Sequence, residues 1–139
     1  MEETNQKKGQ TGVFTYRKTD KDNYVFYLLA SNHETLAVGG EAYASAATCK
    51  GGIESVKKFS QIVFDEKIED QTKEPVKVLT NPKWEVYKDK AGLFRFRLKA
   101  NNGNIIAICE KGYSSKANCI KGMQSVANQS KNADVTQID

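Results

Sequence analysis

The single histidine is the first residue to consider for catalysis, because nucleophilic catalysis needs a base beside the nucleophile. His33 lies in the polar run 31–34, between two stretches in which apolar residues alternate with other residues. Asn, Gly and His are all tolerated at the turn positions of such a run. We therefore expect His33 to be a turn residue and not a catalytic base.

The three cysteines are Cys49, Cys109 and Cys119, and they have neither CxxC spacing nor a cluster of other metal ligands beside them. This arrangement predicts no disulfide framework, no metal site and no cofactor. Cys49 and Cys119 fall on an apolar helical stripe and are expected in the core. Cys109 follows Ile108, which is expected to point inward, so we predict that Cys109 is the exposed thiol. A reduced, cytoplasmic setting follows.

Two pairs of carboxylates lie in the middle of the chain, at Asp65 and Glu66 and at Glu69 and Asp70. The segment is polar, and a solvated acidic loop is the usual explanation of such pairs. The glycine pairs of the chain form neither of the nucleotide-binding patterns. The sequence therefore predicts that the protein is not an enzyme.

The elements that must position these residues are written twice in the chain. A constant shift of 70 positions (113 − 43 = 70), without a gap, aligns the two stretches. The aligned pairs include Phe26 with Phe96, Leu28 with Leu98, Tyr43 with Tyr113, Cys49 with Cys119, Gly52 with Gly122 and Val56 with Val126. Such regularity indicates an internal duplication. We call residues 13–60 the first copy and residues 83–130 the second copy.

Each copy begins with residues that alternate at the period of a β-strand and ends with residues at the period of a helix. In the second copy the residues predicted to face inward are Trp84, Val86, Phe94, Phe96, Leu98, Ala100, Ile106 and Ile108, and in the first copy the third strand is expected to bury Leu36 and Val38. Asn102 and Gly103 predict a hairpin with a type I′ turn, in which both central residues have positive φ. Ser45, and Ser114 or Ser115, are predicted to cap the helices.

The remaining segments define the predicted domain organisation. Residues 1–12 are expected to be a flexible tail, and 13–139 a single domain. This domain consists of the first copy, a long connection over 61–82 with a short extended piece at 76–79, the second copy, and a loose polar tail over 131–139. No apolar run approaches the roughly 18 residues that span a bilayer, so no membrane partner is predicted.

Several stretches of the chain resemble the repeat of the YegP-like family of small bacterial proteins. They are GIESVKK at 52–58, YKDKAGLFRFRLKANNGNII at 87–106 and GYSSKA at 112–117. The resemblance implies an α+β fold: two tandem β3-α repeats that form one antiparallel six-stranded sheet, with two helices on one face and the helices exchanged between the copies. It implies no catalytic residues.

The face of the sheet that the helices would leave open is the remaining candidate site. Residues of the opposite parity to Phe96 and Leu98 are basic in the second copy and apolar or aromatic in the first. The predicted interaction face consists of Val25, Tyr27, Leu29, Tyr87, Arg95, Arg97 and Lys99. Cations on a wet sheet face are ordinary solvation, whereas a contiguous apolar patch usually marks a contact.

Two functions are compatible with this face. The first is a non-enzymatic interaction module that binds an unknown protein or a second copy of itself through the open face. The second is weak binding of single-stranded nucleic acid through Arg95, Arg97, Lys99 and the neighbouring tyrosines, although the net charge of +4 does not require it. An internal cover is the third option, with Ile62, Val63, Phe64 or Val78 folded over the apolar residues.

Overall fold

The computed structural model describes residues 11–62 and 67–138. Within these residues the chain forms eight strands and two helices. In chain order they are β1 (Val13–Lys18), β2 (Tyr24–Leu29), β3 (Thr35–Gly39), α1 (Ala46–Ile62), β4 (Ile68–Asp70), β5 (Lys83–Lys88), β6 (Phe94–Lys99), β7 (Ile105–Cys109), α2 (Lys116–Ser130) and β8 (Asp134–Gln137).

All eight strands belong to one sheet, in the order β4-β5-β6-β7-β3-β2-β1-β8. The six predicted strands are present and antiparallel, and β3 and β7 join the two copies at the centre. The predicted number of strands was wrong, because β4 pairs in parallel with β5 and β8 pairs in parallel with β1. The protein is therefore an α+β protein with a mostly antiparallel sheet.

The two additional strands connect the copies to each other. β4 follows the helix of the first copy but pairs with the first strand of the second copy, and β8 does the reverse. Lys116 at the start of α2 also forms an ion pair with Asp70 at the end of β4, with Nζ and Oδ2 2.7 Å apart. The segment that follows each copy thus adds a strand to the sheet of the other copy.

The connection and the C-terminal tail both differ from the prediction, because each of them adds a strand to the sheet. The tail is not loose, since Asp134–Gln137 form β8. The connection forms a strand at Ile68–Asp70 and none at 76–79, where Val78 is 74% exposed. Val78 therefore does not cover the face of its own sheet. The side chain of Ile62, residues 63–66 and most of the predicted N-terminal tail lie outside the described residues.

Both helices pack on the same face of the sheet, and each contacts strands of both copies. Phe14, Phe26, Trp84 and Phe96 are at most 1% exposed beneath them. At the ends of the helices the hydroxyls of Ser60 and Ser130, which are 70 positions apart, lie 3.1 Å from each other. The core is therefore shared between the copies.

A glycine in the middle of each helix makes room for a tyrosine. The ring of Tyr113 stacks on Phe96 with centroids 6.2 Å apart, and a Cβ on Gly122 would lie 2.3 Å from its Oη atom. Tyr43 and Gly52 repeat this contact in the first copy. In each copy the glycine therefore leaves space for the tyrosine ring.

The predicted turns and caps are present, but the turn at Asn102 and Gly103 is not of type I′, because of these two residues Gly103 alone has a positive φ. His33 has a φ of 73° and Gly103 a φ of 87°, so both occupy the left-handed conformation that the turn requires. The N–H of Asn118 donates to Ser115 Oγ, and the N–H of Thr48 donates to Ser45 Oγ, each at 3.1 Å. His33 is therefore a turn residue, as predicted.

A bulge changes the parity of the third strand in each copy. The pairing shifts between Leu98 and Lys99 in the second copy, so Ile108 lies opposite Arg97 and Cys109 faces the core. Cys109 is 2% exposed and its Sγ accepts a hydrogen bond from the N–H of Phe96 at 3.3 Å. The predictions that Cys109 is exposed and that Ile108 points inward were therefore wrong. Val38 was also predicted to point inward, but it pairs with Tyr27 and lies on the opposite face.

Candidate interaction face

Residues that pair directly across strands present their side chains on the same face of a sheet. The register therefore defines one row across the face opposite the helices. From one edge to the other the row contains Glu69, Glu85, Arg97, Ile108, Val38, Tyr27, Thr15 and Thr136. The residues predicted for the interaction face lie in this row or in the rows beside it, so the structure brings them together as predicted.

The part of this face formed by β2, β3 and β7 is apolar. It contains Val25, Tyr27, Leu29, Val38 and Ile108, which we call the apolar half, and all five side chains are partly exposed. Val38 and Ile108 pair across the junction of the two copies. Sequence reasoning missed these two residues because the bulge moved them to this face.

The part formed by β4, β5 and β6 is charged and centres on a buried carboxylate. Glu85 is 2% exposed and forms ion pairs with Arg97 at 2.5 Å, Lys83 at 3.1 Å and Lys99 at 3.2 Å. Lys83 also binds Glu69, with Nζ and Oε1 2.6 Å apart. We call these five residues the charged half. Glu69 is 3% exposed, so its assignment to a solvated loop was wrong.

Arg95 and Tyr87, the other two residues predicted on this side of the face, also have partners. Arg95 Nε lies 2.7 Å from Asp89 Oδ2. The guanidinium of Arg97 lies over the ring of Tyr87, 4.4 Å from its centroid. Arg95, Arg97 and Lys99, the three cations of the predicted interaction face, therefore each have a carboxylate partner. The partner of Arg97 and Lys99 could have been found in the sequence. Glu85 lies two positions before Tyr87 on β5, so the same alternation places its carboxylate on the open face.

Hydrogen bonds keep the buried carboxylates of the charged half ionised. Burial alone would raise the pKa of Glu69, but bonds from Gln71, from Lys83 and from the N–H of Leu79 outweigh it and lower the pKa to about 2. Burial likewise opposes ionisation of Glu85, and its bonds to Arg97, Lys83 and Lys99 lower its pKa. Neither carboxyl group is suited to act as a general acid near neutral pH.

The lowered pKa of Glu69 predicts a loss of stability in acid. The unfolded chain has the ordinary pKa near 4.5, so the contribution of Glu69 is fully present above that pH and is lost as the pH falls toward 2. Between about pH 5 and about pH 3 the wild type should lose more unfolding free energy than Glu69→Gln. Urea titrations followed by circular dichroism measure both, and equal losses would contradict the role of Glu69.

No other feature of the described residues indicates chemistry at this face. No group of three or more His, Cys, Asp or Glu residues among residues 11–62 and 67–138 could hold a metal ion. The three thiols are buried, and burial raises the pKa of each, that of Cys119 to about 12. Neither helix in the described part of the chain has the length and apolar character that crossing a membrane requires.

The fold and the face together define a class of protein: an α+β protein in which helices cover one side of an eight-stranded sheet, and no helix among residues 11–62 and 67–138 covers the other side. Residues 20–62 and 89–137 match the family described as a domain of unknown function, DUF1508. The chain belongs to this family, and the resemblance to YegP-like proteins is confirmed.

Similar proteins include chains of different lengths. A UPF0339 protein of Treponema denticola is 50% identical over 56 residues, which are 40% of this chain and 95% of that protein. A UPF0339 protein of Pseudomonas aeruginosa is 32% identical over 113 residues, 81% of this chain and 84% of that protein. The first relative is thus little longer than one copy.

Two solved structures share the fold. The solution structure of yegP from E. coli, described as a protein of unknown function, has a TM-score of 0.70 and 26% identity, and the match covers 92% of this chain and 93% of that one. A UPF0339 protein from Shewanella oneidensis has the same TM-score and identity, with 91% of each chain covered. These similarities support the fold and add no activity.

Proposed function

We propose that the protein is a non-enzymatic interaction module that binds a protein partner through the open face of its sheet. The observation that carries this proposal is the apolar half. Five partly exposed apolar side chains lie side by side on β2, β3 and β7, on the face without helices. Contiguous exposed apolar surface of this kind usually marks a binding site.

The character of the titratable groups supports a role without catalysis. The buried carboxylates are held ionised by cations and amides, and the buried thiols have raised pKa values. A nucleophile would need a lowered pKa or an adjacent base. His33, whose ring could act as such a base, is the exposed turn residue between β2 and β3.

The charges on the face indicate the chemistry of the partner. Arg95, Arg97 and Lys99 are 25–29% exposed, whereas Glu85 beneath two of them is 2% exposed. The face therefore offers cations beside apolar side chains, and a protein surface with apolar groups next to carboxylates would complement it. The same ion pairs weaken the support for nucleic-acid binding, because the cations are already partly neutralised.

The exchange between the copies and the cellular setting are further parts of the proposal. The contacts of each helix with strands of both copies support the exchanged arrangement that the family resemblance implies. The buried, unpaired cysteines support a reducing, cytoplasmic setting.

Replacing the centre of the apolar half tests the proposed function. Peptides selected from a phage-displayed random library on the wild type should contain apolar residues beside Asp or Glu. They should bind Tyr27→Ser/Leu29→Ser at least about tenfold more weakly, because two buried contacts are lost. Calorimetric titration measures the affinity. Gln124→Ser is the control, since Gln124 is an exposed residue of α2, on the face of the sheet opposite to the apolar half, and this variant should bind like the wild type.

Two outcomes would contradict this function. One is a wild-type protein that neither selects such peptides nor self-associates. The other is tight binding of single-stranded oligodeoxythymidine that falls steeply between two salt concentrations, because counterion release would then identify phosphate contacts. Circular dichroism of each variant confirms that it is folded before its binding is compared.

A further inference from the structure

The apolar half has the dimensions of a short helix. β2, β3 and β7 are neighbours in the sheet order, so the patch is two strand spacings wide, or roughly 10 Å. Val25 and Leu29 are four residues apart on β2 (29 − 25 = 4), which gives a length of about 14 Å. A helix with its side chains is about 10–12 Å across and rises about 5.4 Å in each turn. About two to three turns of one helix would therefore cover the patch.

The backbone beneath the apolar half is already paired on both sides. β2, β3 and β7 each lie between two other strands of the sheet. An extended segment placed on this face would bury its own N–H and C=O groups without hydrogen-bond partners. A helix satisfies these groups internally and offers side chains alone. Helices α1 and α2 already pack in this way on the other face.

Three cations follow one side of the apolar half. Arg97 on β6 pairs with Ile108 on β7, and Arg95 and Lys99 lie two residues before and after it on the same strand. We call Arg95, Arg97 and Lys99 the cationic border. Their side chains are 25–29% exposed, and the carboxylate that Arg97 and Lys99 share is Glu85 on β5, on the side away from the apolar half. A ligand on the apolar half would therefore meet cations along one of its sides.

A second copy of the chain does not complement this face. In a face-to-face dimer with aligned strands, the two-fold axis runs either along or across the strands. An axis along the strands would place the charged half of each copy against the apolar half of its partner. An axis across the strands would set each cationic border against the same border of the other copy. Like charges brought together in an interface are unfavourable, so the charges favour a different molecule.

We infer, on the basis of the proposed function, that the apolar half binds one amphipathic helix of another protein. The axis of the helix follows the strands, and its apolar side chains, at i, i+3, i+4 and i+7, pack on Tyr27, Val38 and Ile108. Carboxylates beside this apolar stripe face Arg97 and Lys99. The bound helix completes a third layer, because the sheet then has helices on both faces.

Three synthetic helical peptides test this inference with the full chain. Each has about 18 residues and a hydrocarbon staple on its polar side. The first has leucines at i, i+3, i+4 and i+7 with glutamates beside them, the second has lysines in place of the glutamates, and the third has the composition of the first with its leucines spread around the helix. In calorimetric titrations the first peptide should bind at least about tenfold more tightly than either of the others. Tyr27→Ser/Leu29→Ser should weaken its binding at least about tenfold.

A pair of charge variants tests the cationic border. Arg95→Gln/Lys99→Gln should reduce the preference for the acidic over the basic peptide to about threefold or less, because two cations leave the side of the patch. Lys50→Gln/Lys121→Gln is the matched control. These two lysines are exposed on α1 and α2, on the other face of the sheet, so the same change of charge should keep the preference. Circular dichroism confirms that both variants are folded.

The outcomes separate this inference from the proposed function. Peptides from the random library that require Tyr27 and Leu29 but tolerate proline at their centre would overturn the helix and leave the proposed function standing, because proline breaks a helix. Equal affinities for the three helical peptides would also overturn the inference. So would a dimer, detected by sedimentation equilibrium, that Tyr27→Ser/Leu29→Ser dissociates, because the occupant would then be a second copy.

Discussion

Glu85→Ala should lower the free energy of unfolding by about 3–5 kcal/mol, because it removes one partner from a buried set of ion pairs. Lys83 is 6% exposed and would keep only Glu69, and Arg97 and Lys99 would lose their shared carboxylate. The main cost falls on the buried ammonium of Lys83, which cannot be hydrated as it is in the unfolded chain and would keep one of its two carboxylates. Urea denaturation followed by circular dichroism measures the loss.

The first copy provides the control for this result. At the positions of Lys83, Glu85, Arg97 and Lys99 it has Val13, Thr15, Tyr27 and Leu29, and Thr136 stands where Glu69 stands. A variant with all five first-copy residues, Glu69→Thr, Lys83→Val, Glu85→Thr, Arg97→Tyr and Lys99→Leu, should recover most of the stability lost in Glu85→Ala. If it were as unstable as Glu85→Ala, the loss would not come from unpaired charge.

Trp84→Ala should cost about 3–5 kcal/mol of unfolding free energy, because it leaves a large cavity in the core. Trp84 is fully buried and meets Phe96 edge to face, with ring centroids 5.5 Å apart. Thermal and urea denaturation measure the cost. A loss below about 1 kcal/mol would mean that the core collapses to fill the space.

Trp84→Phe should be far milder than Trp84→Ala, and it is the matched control. Phe14 holds the corresponding position in the first copy and packs edge to face on Phe26 at 5.9 Å. The indole Nε1 of Trp84 is buried without a hydrogen-bond partner, so the substitution also removes an unsatisfied donor. We expect a loss below about 1.5 kcal/mol. A loss as large as that of Trp84→Ala would show that the indole has a role beyond filling volume.

The sequence predicted those features that depend on neighbours in the chain. The parity of β2, β5 and β6, the caps at Ser45 and Ser115 and the turns at His33 and Gly103 all follow from local periodicity or conformational preference. The candidate face followed from that parity, since Tyr27 and Arg97 share one row of the sheet. Long-range pairing was not needed for these predictions.

The features that the sequence missed depend on residues far apart in the chain. β4 and β8 are short and largely polar, and their pairing partners lie 16 and 121 positions away, as with Ile68 and Trp84 (84 − 68 = 16) and with Phe14 and Val135 (135 − 14 = 121). The bulges in β3 and β7 shift five-residue strands, in which one extra residue reverses the apparent parity. A glutamate considered alone is expected at the surface. Glu85 is buried because cations on β5 and β6 pair with it.

The pairing of β8 with β1 has a consequence for synthesis of the chain. Strand β1 is made first, but its outer edge finds its hydrogen-bonding partner only in Asp134–Gln137, near the end of the chain. The first copy is therefore synthesised before the strand that pairs with the outer edge of β1. Until β8 is made, this edge stays exposed, and exposed strand edges promote aggregation. The second half receives β4 from residues that are already made, so it can complete its sheet as it emerges.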